Sequence, residues 1–564
     1  MRFWKWTASG VRVSDAFEYQ TKVKVVARFV QALQLGDDEG LGLNVGENML
    51  FRRFPRPIDW SESEESERVE VLSELYVDYM QPVWDKWPEA ANNAGVYLLP
   101  SKKIDGSTTP LKEYVVLQYP IYSTLGIFGR GTRCYLAIER TTFEHTDFVT
   151  MGDDDLLPLL RTFKTSWQFM SRSREDTFYT AAGKVEHLAS LIGGGVEGLS
   201  QQSGGIFASQ TKSGLDDLDR FSGPTGKTPR EESHFYIREL RWVMLSEVGR
   251  RITTLSSSGE LIRVLCNCLR AYEGLEKRGI LHRDISANNI LVVNPEMAGL
   301  VVDLDMAKYI GKGSSSVSEQ SLFVAEQQRK DARPAITGTM VFTAIALAKS
   351  PHPASWHDYE SFFWLLVWCT IRHCVEARLV FPGGHLPLYS HDDRTKGLDQ
   401  VFPYETARVD EAREHGALAK LEFLQNCSIV TPKNPALQVL INSLRYIFKE
   451  HYVLLRSLQP SPFRSTPYSA STPEQVREHG KEILKQAAVA KSLISQDPIS
   501  ADELKFAVIR LEESIAYIDK SAPFPTFDVI VKYFEQALPA LKKPPADMET
   551  FEPKRERKPK AFKA

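Results

Sequence analysis

The chain has 564 residues, of which 43% are hydrophobic and 25% are charged, and its formal net charge is -3. This length exceeds one typical hydrophobic core, so two or more folded units are expected. A charge so close to zero gives no global reason to expect nucleic acid or an acidic membrane as a partner. Function must therefore come from local sites.

Cysteine usage and hydropathy indicate the compartment. The six cysteines are sparse and show no C-x-x-C spacing, which favours buried thiols in a reducing compartment over disulfides or structural zinc. The amino terminus has no continuous apolar segment of the secretory kind. The most apolar run, residues 362–371, is shorter than the ~20 residues of a membrane span. We expect an intracellular protein, cytoplasmic or nuclear, that does not enter a membrane.

The first 110 residues carry apolar positions at helical spacing. These positions occur over 15–35 and again after an acidic helix start at 59–67. We predict an N-terminal helical region over residues 1–110. From Tyr114 the apolar residues run consecutively, which is typical of strands.

Two strands predicted between residues 114 and 138 enclose a glycine turn. Gly129 and Gly131 lie in this turn. Because glycine has no Cβ, backbone amides there can approach a phosphate, and both residues are predicted to bind ATP.

The next strand, residues 159–167, carries Lys164 and is followed by a helix start that contains Glu175 and Asp176. A lysine on a strand, paired with an acidic residue on the next helix, can hold the α- and β-phosphates of ATP. We predict Lys164 as the phosphate ligand and Glu175 as its partner. Asp176 is equally close in the sequence.

Residues 191–233 are rich in glycine and serine, and we predict a flexible insertion because such a composition buries little apolar surface. A strand over 240–245 then leads to the short segment 246–249. This segment is predicted to be a hinge that contacts adenine, with Glu247 among the ATP-binding residues.

The stretch from Gly279 to Lys308 carries the main candidate catalytic residues. Asp284 follows His282 and Arg283, Asn289 comes five residues later, and Asp303 follows a short apolar hairpin. Phosphoryl transfer needs a carboxylate beside the attacking hydroxyl and oxygen ligands for Mg²⁺. We predict that Asp284 orients the hydroxyl and that Asn289 and Asp303 bind the metal.

Helices dominate the remainder of the predicted fold. A capped helix begins near Ser257, and an apolar run over 362–368 predicts a buried core helix. Capping boxes and apolar periodicity predict a helical appendage over 471–541. Residues 542–564 form a predicted disordered basic tail, a candidate for nuclear import or nucleic-acid contact.

The chain resembles the fungal-type protein kinase family, a divergent branch of the protein kinase-like superfamily. The residues that carry this resemblance are His282-Arg283-Asp284-Ile285-Ser286, Asn289-Ile290-Leu291, Val302–Asp305, Gly129–Arg133, Phe163–Trp167, Thr337–Thr339 and His357–Phe363. The resemblance implies an α+β, bilobal kinase fold. Its small β-rich N-lobe would span 111–249 and its larger helical C-lobe 250–470.

The resemblance also implies an activity and further site residues. It implies an ATP- and Mg²⁺-dependent protein kinase that phosphorylates Ser or Thr in protein substrates. His282 and Arg283 would be structural residues of the catalytic loop. Asp358 would anchor the loop backbone from the core helix, and Thr339 would face the substrate hydroxyl.

Four positions depart from the common kinase pattern. Ser286 replaces a lysine that contacts the γ-phosphate, and Asp305 replaces a glycine. Ala346 replaces the glutamate of A-P-E, and Cys134 replaces the third loop glycine. A lost charge-assisted hydrogen bond costs on the order of 1.5 to 3 kcal/mol, so we expect weakened rather than abolished activity.

Two other functions are compatible with these residues. A small-molecule phosphotransferase uses a similar set of Asp and Asn residues, and Asp305 after Asp303 resembles that group. Arg283 and Thr339 favour a peptide acceptor instead. A catalytically weak pseudokinase acting as a scaffold is the second alternative, and the joint presence of Lys164 and the catalytic set argues against it.

Overall fold

The computed structural model describes two compact units. The described residues are 4–7, 10–13, 52–53, 68–69, 71–72, 96–99, 113–123, 132–151, 153–169, 172–196, 238–293, 298–310, 339, 341–348, 353–388, 390–403, 409–457 and 525–541. Those of the N-terminal unit lie within Met1–Thr180 and Ala189–Val248, and those of the C-terminal unit within Ala181–Leu188 and Gly249–Arg557.

The N-terminal unit is built on an antiparallel sheet. Its strands are β1 (Trp4–Thr7), β2 (Gly10–Val13), β3 (Arg52–Arg53), β4 (Val96–Leu99), β5 (Tyr114–Ser123), β6 (Arg133–Glu139), β7 (Leu160–Phe169), β8 (Leu191–Val196) and β9 (Arg238–Leu245). Among the described residues, β1 pairs with β2, and the others form a seven-stranded sheet in the order β3-β4-β5-β6-β7-β9-β8. Every neighbouring pair in this sheet is antiparallel. The sequence-predicted strands that begin at Tyr114, carry Lys164 and end at Leu245 are confirmed.

Short helices flank this sheet. They are α1 (Arg140–His145), α2 (Asp153–Leu156) and α3 (Glu175–Ala182), with 3₁₀ turns at Phe148–Thr150 and Leu157–Leu159. Strand β5, inside the sheet, is buried on both faces, because Val115 and Leu117 join one apolar cluster while Tyr114 and Val116 join another. Consecutive apolar residues are typical of a strand covered on both sides.

The predicted N-terminal helical region is wrong for the four strands β1 to β4. In the first hairpin, Trp4 lies opposite Val13 and Trp6 opposite Val11. Aromatic and aliphatic residues alternate here with the period of a strand, but each strand is only four residues long. The longer helical spacing of residues 15–35 therefore dominated the prediction. The helices predicted over 15–35 and after residue 59 lie largely outside the described residues.

The predicted insertion over 191–233 is wrong at its beginning. Strand β8 pairs with β9, and Gly194 lies opposite Val243. A Cβ at Gly194 would lie 2.5 Å from the Cβ of Asp176, so only glycine lets α3 approach the strand this closely. Here glycine indicates close packing of helix on strand, and not a flexible segment. Residues 197–237 lie outside the described part of the chain.

The C-terminal unit is mainly helical. Its helices are α4 (Ser258–Glu276), α5 (Ser355–His373), α6 (His391–Val401), α7 (Val409–Asn426), α8 (Pro435–Ser457) and α9 (Phe527–Leu541), with 3₁₀ turns at Ile252–Thr254 and Ile345–Ala348. Its strands are β10 (Arg250–Arg251), β11 (Ile280–Leu281), β12 (Ile290–Val293), β13 (Ala298–Val301), β14 (Lys308–Tyr309), β15 (Arg378–Phe381), β16 (Gly384–Pro387) and β17 (Ser428–Val430). In the part of the chain that the structure describes, no helix has the length and apolarity to cross a bilayer.

Helix α5 forms the centre of this unit's core. Every residue from Phe362 to Val367 is at most 1% exposed, which confirms the predicted buried helix. The ring of Trp364 lies 5.9 Å from that of Phe423, measured between centroids. The helix begins at Ser355, seven residues before its apolar run.

Helix α4 directly precedes the loop that contains the candidate catalytic residues. Its predicted N-cap is confirmed, since the side chain of Ser257 accepts a hydrogen bond from the backbone N–H of Glu260. After α4 ends, Gly279 adopts a φ of 70°, a conformation that favours glycine, and the chain turns into β11. Helix α9, whose helical state the sequence predicts, is joined to α4 by an Arg270–Glu535 ion pair at 2.8 Å.

Candidate active site

A β-hairpin in the C-terminal unit brings two sequence-predicted metal ligands to neighbouring positions. Strands β12 and β13 are antiparallel, with Ile290 opposite Val301. One step beyond this pair, the N–H of Val302 donates to the carbonyl of Asn289 at 3.0 Å. The hairpin therefore holds Asn289 at the start of one strand and Asp303 just after the end of the other. The predicted apolar strand pair is confirmed.

A carboxylate from α5 holds the loop that precedes this hairpin. Asp358 accepts hydrogen bonds from the backbone N–H of His282 at 3.0 Å and from that of Arg283 at 3.0 and 3.2 Å. The Asp358 side chain is buried, and burial raises the pKa of its carboxyl, while its interactions with His282, with the backbone N–H of Arg283 and with the Tyr272 hydroxyl oppose this rise. The structure thus contains the backbone anchor that the resemblance implies for Asp358.

The imidazole of His282 joins the loop to the hairpin. Its Nδ1 accepts from the N–H of Asp284 at 3.3 Å, so Nδ1 carries no proton in this arrangement. Its Nε2 lies 3.0 Å from the carbonyl oxygen of Val302, and a carbonyl can only accept. The network therefore assigns the Nε2-protonated tautomer, which holds the positions of Asp284 and Val302 together.

The carboxylate of Asp284 is oriented by Thr339. Its Oδ1 accepts from the Thr339 backbone N–H at 2.8 Å and from the Thr339 hydroxyl at 3.0 Å. The Asn289 side-chain amide donates to the backbone carbonyl of Asp284 at 2.8 Å. Because the Asn289 nitrogen faces that carbonyl, its oxygen points away from it and is suited to a cation.

Two residues of this site have unusual backbone conformations. Arg283 has a φ of 68° and Asp303 a φ of 69°, in the left-handed region that residues other than glycine seldom occupy. The Asp303 carboxylate accepts a hydrogen bond at 3.3 Å from the N–H of Asp305, two residues later. Such conformations occur where the surrounding contacts determine the backbone, and they are concentrated at functional sites.

The N-terminal unit contains a buried ion pair between Lys164 and Glu175. The Lys164 Nζ lies 2.7 Å from a Glu175 carboxylate oxygen, and both side chains are at most 6% exposed. Asp176, the alternative partner, forms instead a two-point contact with Arg174 at 2.8 and 3.0 Å. The structure therefore selects Glu175 as the partner of Lys164.

The remaining predicted ATP-binding residues are Glu247, Gly129 and Gly131. The Glu247 carboxylate accepts from the N–H of Ser190 at 2.8 Å, and its backbone carbonyl accepts from the Thr162 hydroxyl at 2.8 Å. Glu247 follows β9, as the sequence predicts, and its adenine contact stays a prediction. Gly129 and Gly131 lie outside the described residues.

Sequence reasoning missed the role of Glu360. This residue is fully buried in α5 and accepts hydrogen bonds at 3.0 Å from the N–H of Ile345 and at 2.8 Å from the indole N–H of Trp364. A further bond comes from the Tyr452 hydroxyl, which itself accepts from the N–H of Ala346 at 3.0 Å. A carboxylate supplied by α5 therefore binds the backbone beside Ala346, which lacks one. The signal in the sequence was a glutamate two residues before the apolar run 362–368, in a helix predicted to be buried.

A family model described as fungal protein kinase matches residues 1–370. Among solved structures, the kinase PK-1 of Cydia pomonella granulovirus is 9% identical with a TM-score of 0.25, and the match covers 41% of this chain and 63% of the viral chain. No curated protein matches the chain.

The fold combines a sheet with helices, and it holds Asp284 beside the hydrogen-bonded Thr339. A hairpin also brings Asn289 close to Asp303. This arrangement is suited to a phosphotransferase. The family match extends over more than half of the 564 residues. The chain belongs to the fungal protein kinase family, as the resemblance in its motifs indicates. This membership supports phosphotransferase activity and the use of ATP and a metal in general terms.

Proposed function

We propose that the protein is an ATP-dependent protein kinase that transfers the γ-phosphate to Ser or Thr hydroxyls. The observation that carries this proposal is the hydrogen bonding of the Asp284 carboxylate. Both hydrogen bonds from Thr339 reach Oδ1, and within the described part of the chain Oδ2 accepts none. A carboxylate fixed at one oxygen can use the other to receive a proton from a bound hydroxyl.

The reaction assigned to this site is a direct displacement. The substrate hydroxyl oxygen forms a bond to the γ-phosphorus, the bond from that phosphorus to the β,γ-bridging oxygen breaks, and ADP leaves. The hydroxyl proton passes to Oδ2 of Asp284. The contacts of Thr339 and Asn289 restrict movement of Asp284, which keeps the acceptor oxygen in place during transfer.

The donor atoms of the C-terminal unit fit Mg²⁺. Asn289 is oriented by its amide nitrogen, and Asp303 is held by its backbone, so each presents a hard oxygen donor of the kind that Mg²⁺ prefers. A magnesium ion bound by these residues would offset the charge of the ATP phosphates.

In the N-terminal unit, Lys164 is the proposed ligand of the α- and β-phosphates. Placing two charges in a dry interior costs several kcal/mol per ion, so a buried pair is poorly explained by stability alone. The Lys164–Glu175 pair at 2.7 Å fixes the direction of the lysine side chain. This observation favours a catalyst over the scaffold alternative.

The test is transfer of labelled γ-phosphate from Mg-ATP to three acceptor sets: Ser/Thr peptides, Tyr peptides and a mixture of hydroxylated small metabolites. The proposal expects label in the Ser/Thr peptides only. Asp284→Asn should lower the rate at least a hundredfold. Asp303→Asn should lower the rate and raise the Mg²⁺ concentration that transfer requires, because asparagine tolerates the same backbone conformation but lacks the charge.

The outcomes separate the alternatives. Label confined to small metabolites would replace the protein kinase with a small-molecule phosphotransferase. No label in any set, with no rise in melting temperature on addition of Mg-ATP, would favour the scaffold. A double variant, Lys164→Met with Glu175→Leu, removes both buried charges together, and it should fold but bind ATP weakly.

A further inference from the structure

Four polar residues are buried together on one face of the sheet in the N-terminal unit. Lys164, Ser166 and Gln168 occupy alternate positions of β7, so their side chains share a face. Arg241 lies directly opposite Ser166 in the neighbouring strand β9, and residues that lie opposite each other in an antiparallel pair also share a face. All four residues are buried. Polar groups in such a place destabilise the fold unless they are hydrogen-bonded.

The guanidinium of Arg241 connects these residues to the link between β7 and α3, residues 170–174. One of its terminal nitrogens donates to the side-chain oxygen of Gln168 at 3.1 Å and to the carbonyl of Ser173 at 3.1 Å. The other donates to the carbonyl of Arg172 at 2.9 Å. The side-chain nitrogen of Gln168 donates to the hydroxyl oxygen of Ser166 at 2.9 Å. Because a guanidinium can only donate, this network also sets the orientation of the Gln168 amide.

These hydrogen bonds restrain the end of α3 that carries Glu175. This residue is the first of a helix that has only eight residues. The first N–H groups of a helix have no partner within it, and helix ends fray. Arg241 binds the chain two and three residues before Glu175, at the carbonyls of Ser173 and Arg172. The direction in which Glu175 faces Lys164 therefore depends on Arg241.

The packing of α3 on β8 is a separate contact. It occurs where Gly194 allows the close approach of Asp176. Packing of this kind sets how near the helix comes to the strand, whereas hydrogen bonds are directional and set how the helix begins. The two contacts can therefore be tested independently.

We propose that Arg241 is a positioning residue for the phosphate ligand Lys164, and that it acts through the β7–α3 link and Glu175. This inference rests on the proposed kinase function, in which Lys164 binds the α- and β-phosphates of ATP. When Arg241 is replaced, the start of α3 can move, Glu175 meets Lys164 less often, and the lysine is directed less well at the phosphates. The affinity for ATP should fall although Arg241 itself does not contact the nucleotide.

The first test is hydrogen–deuterium exchange of the full-length protein, which requires no catalysis. Arg241→Lys keeps the positive charge but loses the planar fork that reaches three acceptors. The exchange rates of the α3 amides should rise at least about tenfold, while those of β5 and β6 should change by less than about twofold. Arg140→Lys is the matched control, because Arg140 lies in the same unit and forms ion pairs with Glu113 and Glu144 at the surface. It should leave exchange in α3 unchanged.

The second test is a double-mutant cycle on the binding of Mg-ATP. Dissociation constants are measured for the unchanged protein, Arg241→Lys, Glu175→Gln and the double variant. Arg241→Lys should weaken binding about tenfold in the unchanged protein and less than about twofold in the Glu175→Gln background, since both residues act on Lys164. A merely structural role would give equal losses in the two backgrounds.

Gln168→Met provides a second variant if Arg241→Lys folds poorly. It removes one acceptor of Arg241 and leaves the two backbone acceptors in place. We expect the same pattern at smaller size, with binding of Mg-ATP weakened about threefold. The melting temperature of every variant is measured alongside.

The possible results differ in what they overturn. Unchanged exchange in α3 would overturn the role of Arg241 and show that packing at Gly194 alone holds the helix. Equal losses of affinity in both backgrounds of the cycle would overturn it in favour of general destabilisation. Absence of both Mg-ATP binding and phosphate transfer in the unchanged protein would refute the proposed function itself, whereas the exchange experiment would still show whether Arg241 holds α3.

Discussion

Replacing Asp358 with asparagine tests how the catalytic loop is held. The carboxylate offers two acceptor oxygens to two backbone N–H groups, from His282 and Arg283, at 3.0 to 3.2 Å. Asparagine of the same shape offers one oxygen. In the place of Oδ2, this oxygen can still accept from both N–H groups, at 3.0 and 3.2 Å, but the asparagine NH₂ group then replaces Oδ1 and faces the N–H of Arg283. The change therefore sets one buried donor, the asparagine NH₂, against the Arg283 N–H, which is itself a donor, and it makes the remaining hydrogen bonds neutral.

The expected loss follows from these two effects. An unsatisfied buried donor costs about 1 to 3 kcal/mol, and a hydrogen bond to a charged group is worth roughly 1 kcal/mol more than a neutral one. Burial raises the pKa of Asp358, which shows that the charged carboxylate is itself costly here, and removing the charge returns part of the loss. We expect a net decrease of about 2 kcal/mol in the free energy of unfolding.

The assay is urea unfolding followed by tryptophan fluorescence, with phosphate transfer measured in parallel. Asp392→Asn is the matched control, because the Asp392 side chain is 91% exposed and should tolerate the change. Transfer should fall by more than tenfold under conditions where Asp358→Asn remains folded, since the loop that positions Asp284 shifts. An unfolding midpoint equal to that of the control, or full activity in a destabilised variant, would refute this account of the anchor.

Two other predictions concern the stability of each unit. His357 and His451 are buried with pKa values lowered to about 3, chiefly by burial, so as the pH falls below 6.5 the unfolded chain takes up protons that the folded chain refuses. The free energy of unfolding is therefore highest above pH 6.5 and falls as the pH drops toward 3. Each histidine lowers it by about 2 kcal/mol between pH 7 and pH 5. In denaturant titrations at these two pH values, His451→Gln should lose less stability on acidification than the unchanged protein, and an equal loss would contradict the assignment. In the N-terminal unit, Gly194→Ala should lower the melting temperature because its Cβ would lie 2.5 Å from that of Asp176. In the C-terminal unit, Gly383→Ala, where the nearest atom is 4.0 Å away, should not. A small equal shift in both glycine variants would show that α3 moves away without cost.

Local sequence patterns predict much of this site. The order of His282, Asp284 and Asn289, with Asp303 after a hairpin, brings the candidate catalytic residues together because a short loop and one strand pair leave the chain few alternatives. The partner of Lys164 is harder to predict, since Glu175 and Asp176 are adjacent. Only the helix geometry, which turns Asp176 toward Arg174, decides between them.

Such local patterns do not predict contacts between residues that are far apart in the sequence. Glu360 and Tyr452 are separated by 92 residues, and no spacing rule connects them. Strand β8 is hard to predict for another reason, because its glycines lower the strand signal, while one of them, Gly194, allows the close approach of α3. Burial of a charge requires a partner, but the sequence alone does not show which residue supplies it.

The left-handed backbone at Arg283 and Asp303 affects how this site can be transferred to another protein. Each such conformation costs of order 1 to 3 kcal/mol and persists only because the surrounding structure imposes it. A synthetic peptide spanning residues 280–305 would relax at both points and lose the arrangement of its carboxylates. A designer who wishes to graft this chemistry must therefore carry over α5 with the loop, because the active conformation belongs to the tertiary structure and not to the linear motif.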